Sequence, residues 1–390
     1  MDIRLLTSKE FPHAQDLWDY CFEKKGSPFF EWYFSKYCKA ENVLGAFDKD
    51  DFAGMIHLNP YMISLHGKNI PLAYFVGVAT SPEKRGQGVL PRMTKKAFYL
   101  LREKGQCISL LMPVMAGIYQ PYGFSFCYNK LKYDIPLREL SSLFKNTYKY
   151  TYELINASDI TILQSIYKKA MAGYNGYAIR SLSGWQAILD DLSFSGGNIV
   201  IVRDNEDILG YMLYFIKDNA FNVLEMIALE NHAKEAMLYF AAQHLSQCED
   251  FKWLAPENDL TYLKFKEYDF CPVLRPFMMG RIIDAEKAVN ELQFFMQEGQ
   301  SVAIELSDSV IEENNGVFVL KEIDGRAYMY RDESVLADAK MDIGTFAQLC
   351  FGTYDVNVLH KAGFIHADSK AAEMLEKIFA KKKNYINEYF

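Results

Sequence analysis

Val76-Gly-Val-Ala-Thr-Ser-Pro-Glu-Lys-Arg-Gly-Gln-Gly-Val-Leu90 is the stretch on which the reading of the fold turns. A short apolar strand enters a loop carrying Lys84, Arg85, Gly86 and Gly88. An amphipathic helix follows, with Val89, Leu90, Met93, Ala97, Phe98 and Leu101 on one face. A strand that feeds a helix through such a loop leaves backbone N–H groups aimed outward. The helix N-terminus adds partial positive charge, so the arrangement suits a pyrophosphate. Gly86 and Gly88 let the backbone come close where a Cβ would collide. No Gly-Lys-Ser/Thr follows, so this is not a P-loop. The glycine spacing and the missing ribose-binding acid set aside the dinucleotide fingerprint as well.

Outward from this stretch, residues 1 to about 135 alternate between strand and helix patterns. Phe11–Cys21 and Phe29–Tyr37 read as aromatic-rich helices, and 42–47, 51–59 and 61–66 as strands, the last two joined by a hairpin at Asn59-Pro60. Residues 107–112 form a continuous apolar run fit for a central strand, followed by a short helix and a strand over 125–133. Residues 148 to 282 repeat the theme weakly, with a second strand–loop–helix over 222–244. Its loop, Glu230-Asn-His-Ala-Lys-Glu235, has no glycine and carries two carboxylates where phosphates would sit. From about residue 283, short strands with hairpin signals at Asn315-Gly316 and Asp324-Gly325 predict an antiparallel meander, followed by three helices.

The 390 residues are enough for two or three domains. A net charge of −8 without a basic stripe argues against nucleic acid. An acidic rim would suit a cationic substrate, and an ordinary surface charge explains the same number. The seven cysteines form no Cys-x-x-Cys pair, which predicts a reduced, metal-free protein. The start, Met-Asp-Ile-Arg-Leu-Leu-Thr, lacks a signal-peptide pattern, so a cytoplasmic location is expected. The uncharged run 106–129 is broken by Pro113, Gly117, Pro121 and Gly123, so no membrane span is expected.

Arg85-x-x-Gly88-x-Leu90 resembles the acyl-CoA signature of the GNAT N-acetyltransferases, Arg/Gln-x-x-Gly-x-Gly/Ala, with leucine replacing the last small residue. That version of the loop resembles the Eis (enhanced intracellular survival) branch. Tyr119-Gln-Pro-Tyr-Gly123-Phe124 matches the family's Tyr-x-x-x-Gly-Phe/Tyr motif, and the aromatic end Tyr389-Phe390 matches its terminus. The resemblance implies an α/β chain of two tandem GNAT folds with mixed twisted sheets, closed by a sterol carrier-like α+β domain. The expected boundaries are 1–140 for the catalytic domain, 148–282 for a degenerate one without cofactor, and 283–390 for the last.

The same resemblance implies acetyl-CoA as co-substrate, no metal, and direct acetyl transfer to a small-molecule or peptide amine (aminoglycoside, polyamine or lysine). Tyr119 becomes the general acid, with Tyr122 the rival three residues on. The α-carboxylate of Phe390, carried by the closing domain, becomes the general base, with Glu388 competing. The cofactor set is Val78, Ala79, Thr80, Arg85, Gly86, Gln87, Gly88, Val89, Leu90 and Pro91, with Val114 and Met115. Phe30, Glu31 and Trp32 are candidates for the acceptor site, though a helix packing an aromatic face into the core explains them equally well. A homo-hexamer and secretion without a signal peptide also follow from the resemblance. Two rival readings stay open: transfer of a longer acyl chain, and lipid binding by the last domain without catalysis.

Overall fold

The computed structural model describes residues 1–156 and 159–389. Its contacts divide the chain into two compact units. The first holds Met1–Tyr128, Asn175–Ile179 and the chain from Phe277 onward, and the second Asn129–Tyr174 and Arg180–Pro276.

The first unit opens with β1 (Asp2–Leu5), α1 (Phe11–Cys21) and α2 (Pro28–Trp32). Ser27 caps α2 by accepting from the Phe30 N–H, and the chain then winds on as a π-turn over Tyr33–Tyr37. β2 (Val43–Asp48), β3 (Asp51–Leu65) and β4 (Lys68–Thr80) form an antiparallel set. α3 (Val89–Glu103) crosses over to β5 (Ile108–Leu111), which lies parallel to β4. α4 (Ala116–Tyr119) and a turn then lead into β6 (Ser125–Pro136). α3 buries Val89, Met93, Ala97, Phe98 and Leu101 against Phe75, Leu111 and Phe124, the face read from the sequence.

One expected hairpin is absent. β3 runs straight through Asn59-Pro60, and the reversal comes at His66-Gly67, both at positive φ. Pro60 is tolerated because β2 pairs no further along β3 than His57, leaving that stretch an edge where a missing N–H costs nothing.

The second unit contains α5 (Leu137–Leu143), β7 (Thr151–Ile155) and α6 (Ile160–Met171). β8 (Tyr177–Ala178), which belongs to the first unit, pairs with the far half of β3. α7 (Leu182–Phe194), β9 (Asn198–Asp204), β10 (Asp207–Lys217), β11 (Ala220–Ala228), α8 (Asn231–Ala242) and β12 (Asp250–Pro256) complete the second unit. Its strand order is β6-β12-β11-β10-β9-β7, and β11 is parallel to β12. α7 and β12 carry no pattern that the sequence reading picked up.

β13 (Val273–Ile282) returns to the first unit and pairs antiparallel with β5. After α9 (Ala285–Leu292) come β14 (Ser301–Ser307), β15 (Gly316–Ile323), β16 (Arg326–Arg331), β17 (Ala339–Asp342) and β18 (His366–Ala367). They form a separate sheet ordered β16-β15-β14-β17-β18. Asp324-Gly325 is a two-residue turn as expected, but Asn315-Gly316 is not: residues 308–315 make a longer link gathered around the Asp308 carboxylate. α10 (Ile343–Phe351), α11 (Val356–Lys361) and α12 (Ser369–Ile378) pack behind, α10 ending at left-handed Gly352 and α12 capped by Asp368.

Candidate active site

The pairing of β4 with β5 stops at Phe75↔Leu111, while β4 continues to Thr80. At that point β4 bulges: Met55 faces Ala79 and His57 faces Val76, so Gly77 and Val78 stand opposite Ile56 alone. Gly77 is left-handed, at φ +56, which makes this a glycine bulge of the kind that re-aims a strand beside a site. A Cβ there would lie 2.7 Å from the Trp18 ring and 3.2 Å from His57. Val78, Ala79 and Thr80 therefore leave the sheet's parallel edge together, their backbone turned away from β5.

Residues 81–88 link β4 to α3. Gly86 and Gly88 adopt φ of +74 and +73, and Gly88 caps α3 with no side-chain hydrogen bond to its first-turn N–H groups. A Cβ on Gly86 would meet nothing within 4 Å, and one on Gly88 only the Arg92 Nε at 4.0 Å. The loop thus presents a helix N-terminus beside unfilled space, a cradle for an anion. Its cations differ in role. Lys84 is held by Asp48 at 2.7 Å, whereas exposed Arg85 donates from Nε to the Thr80 carbonyl at 3.2 Å. Gln87 donates to the Glu83 carbonyl, Leu90 is half-buried, and Pro91 is exposed. Val114 and Met115, after β5, are exposed as well.

Tyr119 ends α4, half-buried and edge-on to Phe124 with ring centroids 6.2 Å apart. Burial pushes its phenol above the ordinary value, and that of Tyr122 likewise, though Tyr122 is less enclosed. A phenol shifted upward stays protonated at neutral pH, as a proton donor must.

A buried aromatic stack backs the bulge. Tyr33 lies against Trp18 at 4.7 Å, Phe29 at 5.8 Å and His57 at 5.8 Å. Burial pushes His57 down to about 3, so its ring is neutral. The Tyr33 hydroxyl is hydrogen-bonded to His57 Nδ1 at 2.8 Å and accepts from Asn59 Nδ2 at 3.1 Å. Of the residues expected at the acceptor site, Phe30 and Trp32 are buried, and exposed Glu31 accepts from the Gly26 N–H. Tyr33 falls in the aromatic-acidic stretch 29–33 that the sequence points to as an acceptor wall, whereas Trp18 and His57 escaped it because they come from separate elements. The histidine on an apolar strand was their only signal.

The tail enters the same unit. Asn175 receives Lys383 and Tyr385 in backbone hydrogen bonds, and its Nδ2 donates to Asn384. Tyr385, Ile386, Asn387 and Glu388 are then buried. Tyr61 of β3 donates to the Glu388 carboxylate at 2.6 Å, and Tyr61 packs edge-on to Tyr74 of β4 at 5.4 Å. Burial first, and the Glu388 carboxylate second, push the phenols of Tyr37, Tyr61 and Tyr74 upward. Tyr74 stands three residues before the bulge, so the tail reaches the strand that opens. Phe390 lies outside the described residues.

The acetyltransferase (GNAT) domain family matches residues 2–127, a second acetyltransferase (GNAT) domain family matches 176–282, and the sterol carrier protein domain matches 285–387. The chain is a tandem-GNAT acetyltransferase. Among proteins of curated function none matches it. Its whole length is similar in fold to a probable N-acyltransferase from Enterococcus faecalis, at 22% identity and TM-score 0.89, covering 100% of this chain and 99% of that one. It is similar also to a GCN5-related N-acetyltransferase from Anabaena variabilis, at 19% identity and TM-score 0.85, and to Eis1 from Mycobacterium abscessus, at 18% and 0.77, each with 100% of both chains covered. The bulge, glycine loop and Tyr119 of this tandem-GNAT chain all fall in the first match. Among the described residues no cluster of metal-ligating side chains occurs, and no helix is long and apolar enough to cross a membrane.

Proposed function

We propose that the chain transfers acetyl from acetyl-CoA directly to an amine in a ternary complex. The observation that carries this reading is the bulged end of β4, paired with β3 but no longer with β5, followed by the uncapped N-terminus of α3, with Val78, Val89 and Tyr119 packed on one hydrophobic core. The backbone of Val78–Thr80 binds the pantetheine arm, and a backbone N–H there faces the thioester oxygen. The loop Arg85–Pro91 holds the pyrophosphate, and Val114 and Met115 flank the arm. The base takes a proton from the ammonium of the acceptor, and the free amine attacks the thioester carbonyl. A C–N bond forms, the C–S bond breaks, Tyr119 protonates the leaving thiolate, and the proton that the nitrogen sheds as the amide forms returns to the tyrosinate.

The base in this reading is the α-carboxylate of Phe390, delivered by the tail that Asn175 pins. Glu388 is the second candidate, favoured by its burial against Tyr61. The two separate cleanly. Residues added after Phe390 turn its carboxylate into an amide and carry the next free one about 3.3–3.6 Å per residue away. Turnover then falls about 10²-fold with acetyl-CoA affinity kept. Full activity in the extended chain, with loss in Glu388→Gln, transfers the role to Glu388.

The acceptor class is an aminoglycoside, a polyamine or a lysine side chain. A panel of these, followed by release of free CoA thiol, tests the function itself, and no release with any amine overturns it. A homo-hexamer belongs to the same proposal and is read by sedimentation velocity. One observation bears on lipid binding by the closing domain: a cavity of about 820 Å³ lined by Phe126, Tyr354, Leu359 and Phe364. Asp308, Asp342, Thr345 and Gln348 also line it, so its wall is mixed, apolar on one part and polar on another.

A further inference from the structure

The turn that carries Tyr119 is fixed from outside its own domain match. Arg281 of β13 is fully buried, and its Nη2 donates to both oxygens of Asp308 at 2.7 and 2.6 Å. Its Nη1 donates to the Ile282 carbonyl, and its guanidinium carbon stands 4.9 Å above the Phe98 ring. Asp308 also accepts from the N–H groups of Val310 and Ile311 and from Asn314 Nδ2, so the buried carboxylate is fully engaged. The other side of the guanidinium meets the turn. A Cβ on Gly123 would come within 3.0 Å of Arg281 Cζ and 2.6 Å of the Ile343 methyl. Next to Asp308, the exposed Ser309 donates its hydroxyl to the Pro121 carbonyl at 2.7 Å. The five residues Tyr119–Gly123 are thus held at Pro121 and Gly123, with the left-handed Gly123 (φ +79) seated on the guanidinium.

We propose that Arg281, Asp308 and Ser309 are positioning residues that hold the proton-donor turn, so that the sterol carrier-like domain, through Asp308 and Ser309, sets the turnover of the first GNAT domain. The proposal rests on the reading of Tyr119 as the acid. None of the three touches the reacting atoms. Each acts by limiting the motion of a phenol whose place must hold to within about 1 Å. A domain kept for this purpose needs no ligand of its own.

The test uses the full chain, acetyl-CoA and the most active amine of the panel. Ser309→Ala removes one neutral hydrogen bond at an exposed position, so folding is spared. kcat falls about 3- to 10-fold, the range for one such bond, while KM for acetyl-CoA is unchanged and Ser309→Thr restores the rate. Asp308→Asn lowers kcat further, by about 10²-fold. Amide hydrogen exchange in residues 116–124 quickens in both variants and elsewhere stays as in the parent. In a Tyr119→Phe background Ser309→Ala costs nothing more. An equal penalty in that background, or wild-type exchange in 116–124, overturns the brace. If Tyr119→Phe itself keeps full turnover, the acid assignment fails, and exchange alone then decides whether the turn is braced.

Discussion

Two strand–loop–helix crossings, one in each unit, share a backbone plan and differ in what fills it. In the first, parallel pairing of β4 with β5 ends at Phe75 and the bulge follows at Gly77-Val78. In the second, parallel pairing of β11 with β12 ends at Val223, and the bulge follows at Leu224, with Leu213 facing Glu225 and Tyr214 facing Val223. The link to the next helix takes residues 81–88 in the first but only 229–230 in the second. Where the first has Gly77, the second has Glu225, paired with Arg180 through two hydrogen bonds of 2.7 and 2.8 Å and accepting from the Tyr211 hydroxyl at 2.6 Å. Arg180 is itself flanked by the Tyr167 and Trp185 rings. Where the first loop has Gly88, the second has Glu230, whose carboxylate accepts from Tyr150 at 2.6 Å. The same opened strand is a cradle when glycine leaves it bare and a core when charged and aromatic side chains fill it.

The largest effect expected from this contrast is on stability. Arg180→Ala leaves Glu225 charged and buried without its partner, at a cost of about 3–5 kcal/mol. A urea midpoint measures it, and acetyl-CoA affinity of the folded protein should be unchanged. A loss of affinity with unaltered stability would reverse the roles of the two crossings. Next comes Gly88→Asp, which sets a Cβ and a negative charge at the helix N-terminus and lowers acetyl-CoA affinity about 10²-fold. Its counterpart His232→Asp should leave affinity intact, with calorimetry giving one acetyl-CoA per chain. Two per chain would break the comparison.

Tyr119→Phe lowers kcat by about 10²-fold with acetyl-CoA affinity kept. Tyr122→Phe costs much less, and Tyr150→Phe, at the second crossing, leaves kcat within about 2-fold. Equal losses at Tyr119 and Tyr122 would reassign the acid. The smallest effect is in the pH profile. Because burial raises the Tyr119 phenol, the alkaline limb of kcat lies above the ordinary tyrosine value of about 10 and disappears in Tyr119→Phe.

Local patterns were legible because each carries its cause within a few residues. The glycine loop and α3, the short helix before β6 and the Asp324-Gly325 turn all belong to this class. The hairpin assigned to Asn59-Pro60 was misread, since proline signals a turn only where a strand has partners on both sides, and β3 there has an edge. The turn assigned to Asn315-Gly316 gave way to a link organised by Asp308, a carboxylate whose partner is Arg281, on another strand. Arg281 and Asp308 stand 27 residues apart and in no local motif. Only the fold brings them together under Gly123, as it brings Trp18, Tyr33 and His57 together behind Gly77. The second bulge was invisible for the same reason: a single extra residue, Leu224, has no sequence signature of its own.

The burial of Tyr385–Glu388 against β3 and β4 has a consequence in time. The core on which α3 rests is complete once Ile311 has been made, whereas Tyr385–Glu388 leave the ribosome among the last of those described. At about 5–20 residues per second, the interval is roughly 4–15 seconds. For that interval a nascent chain can hold a folded cradle for acetyl-CoA without Glu388 or whatever follows it. With the base on the tail, as proposed, translation order works as a delay line: acetyl transfer starts only once Tyr385–Glu388 have packed beyond Asn175.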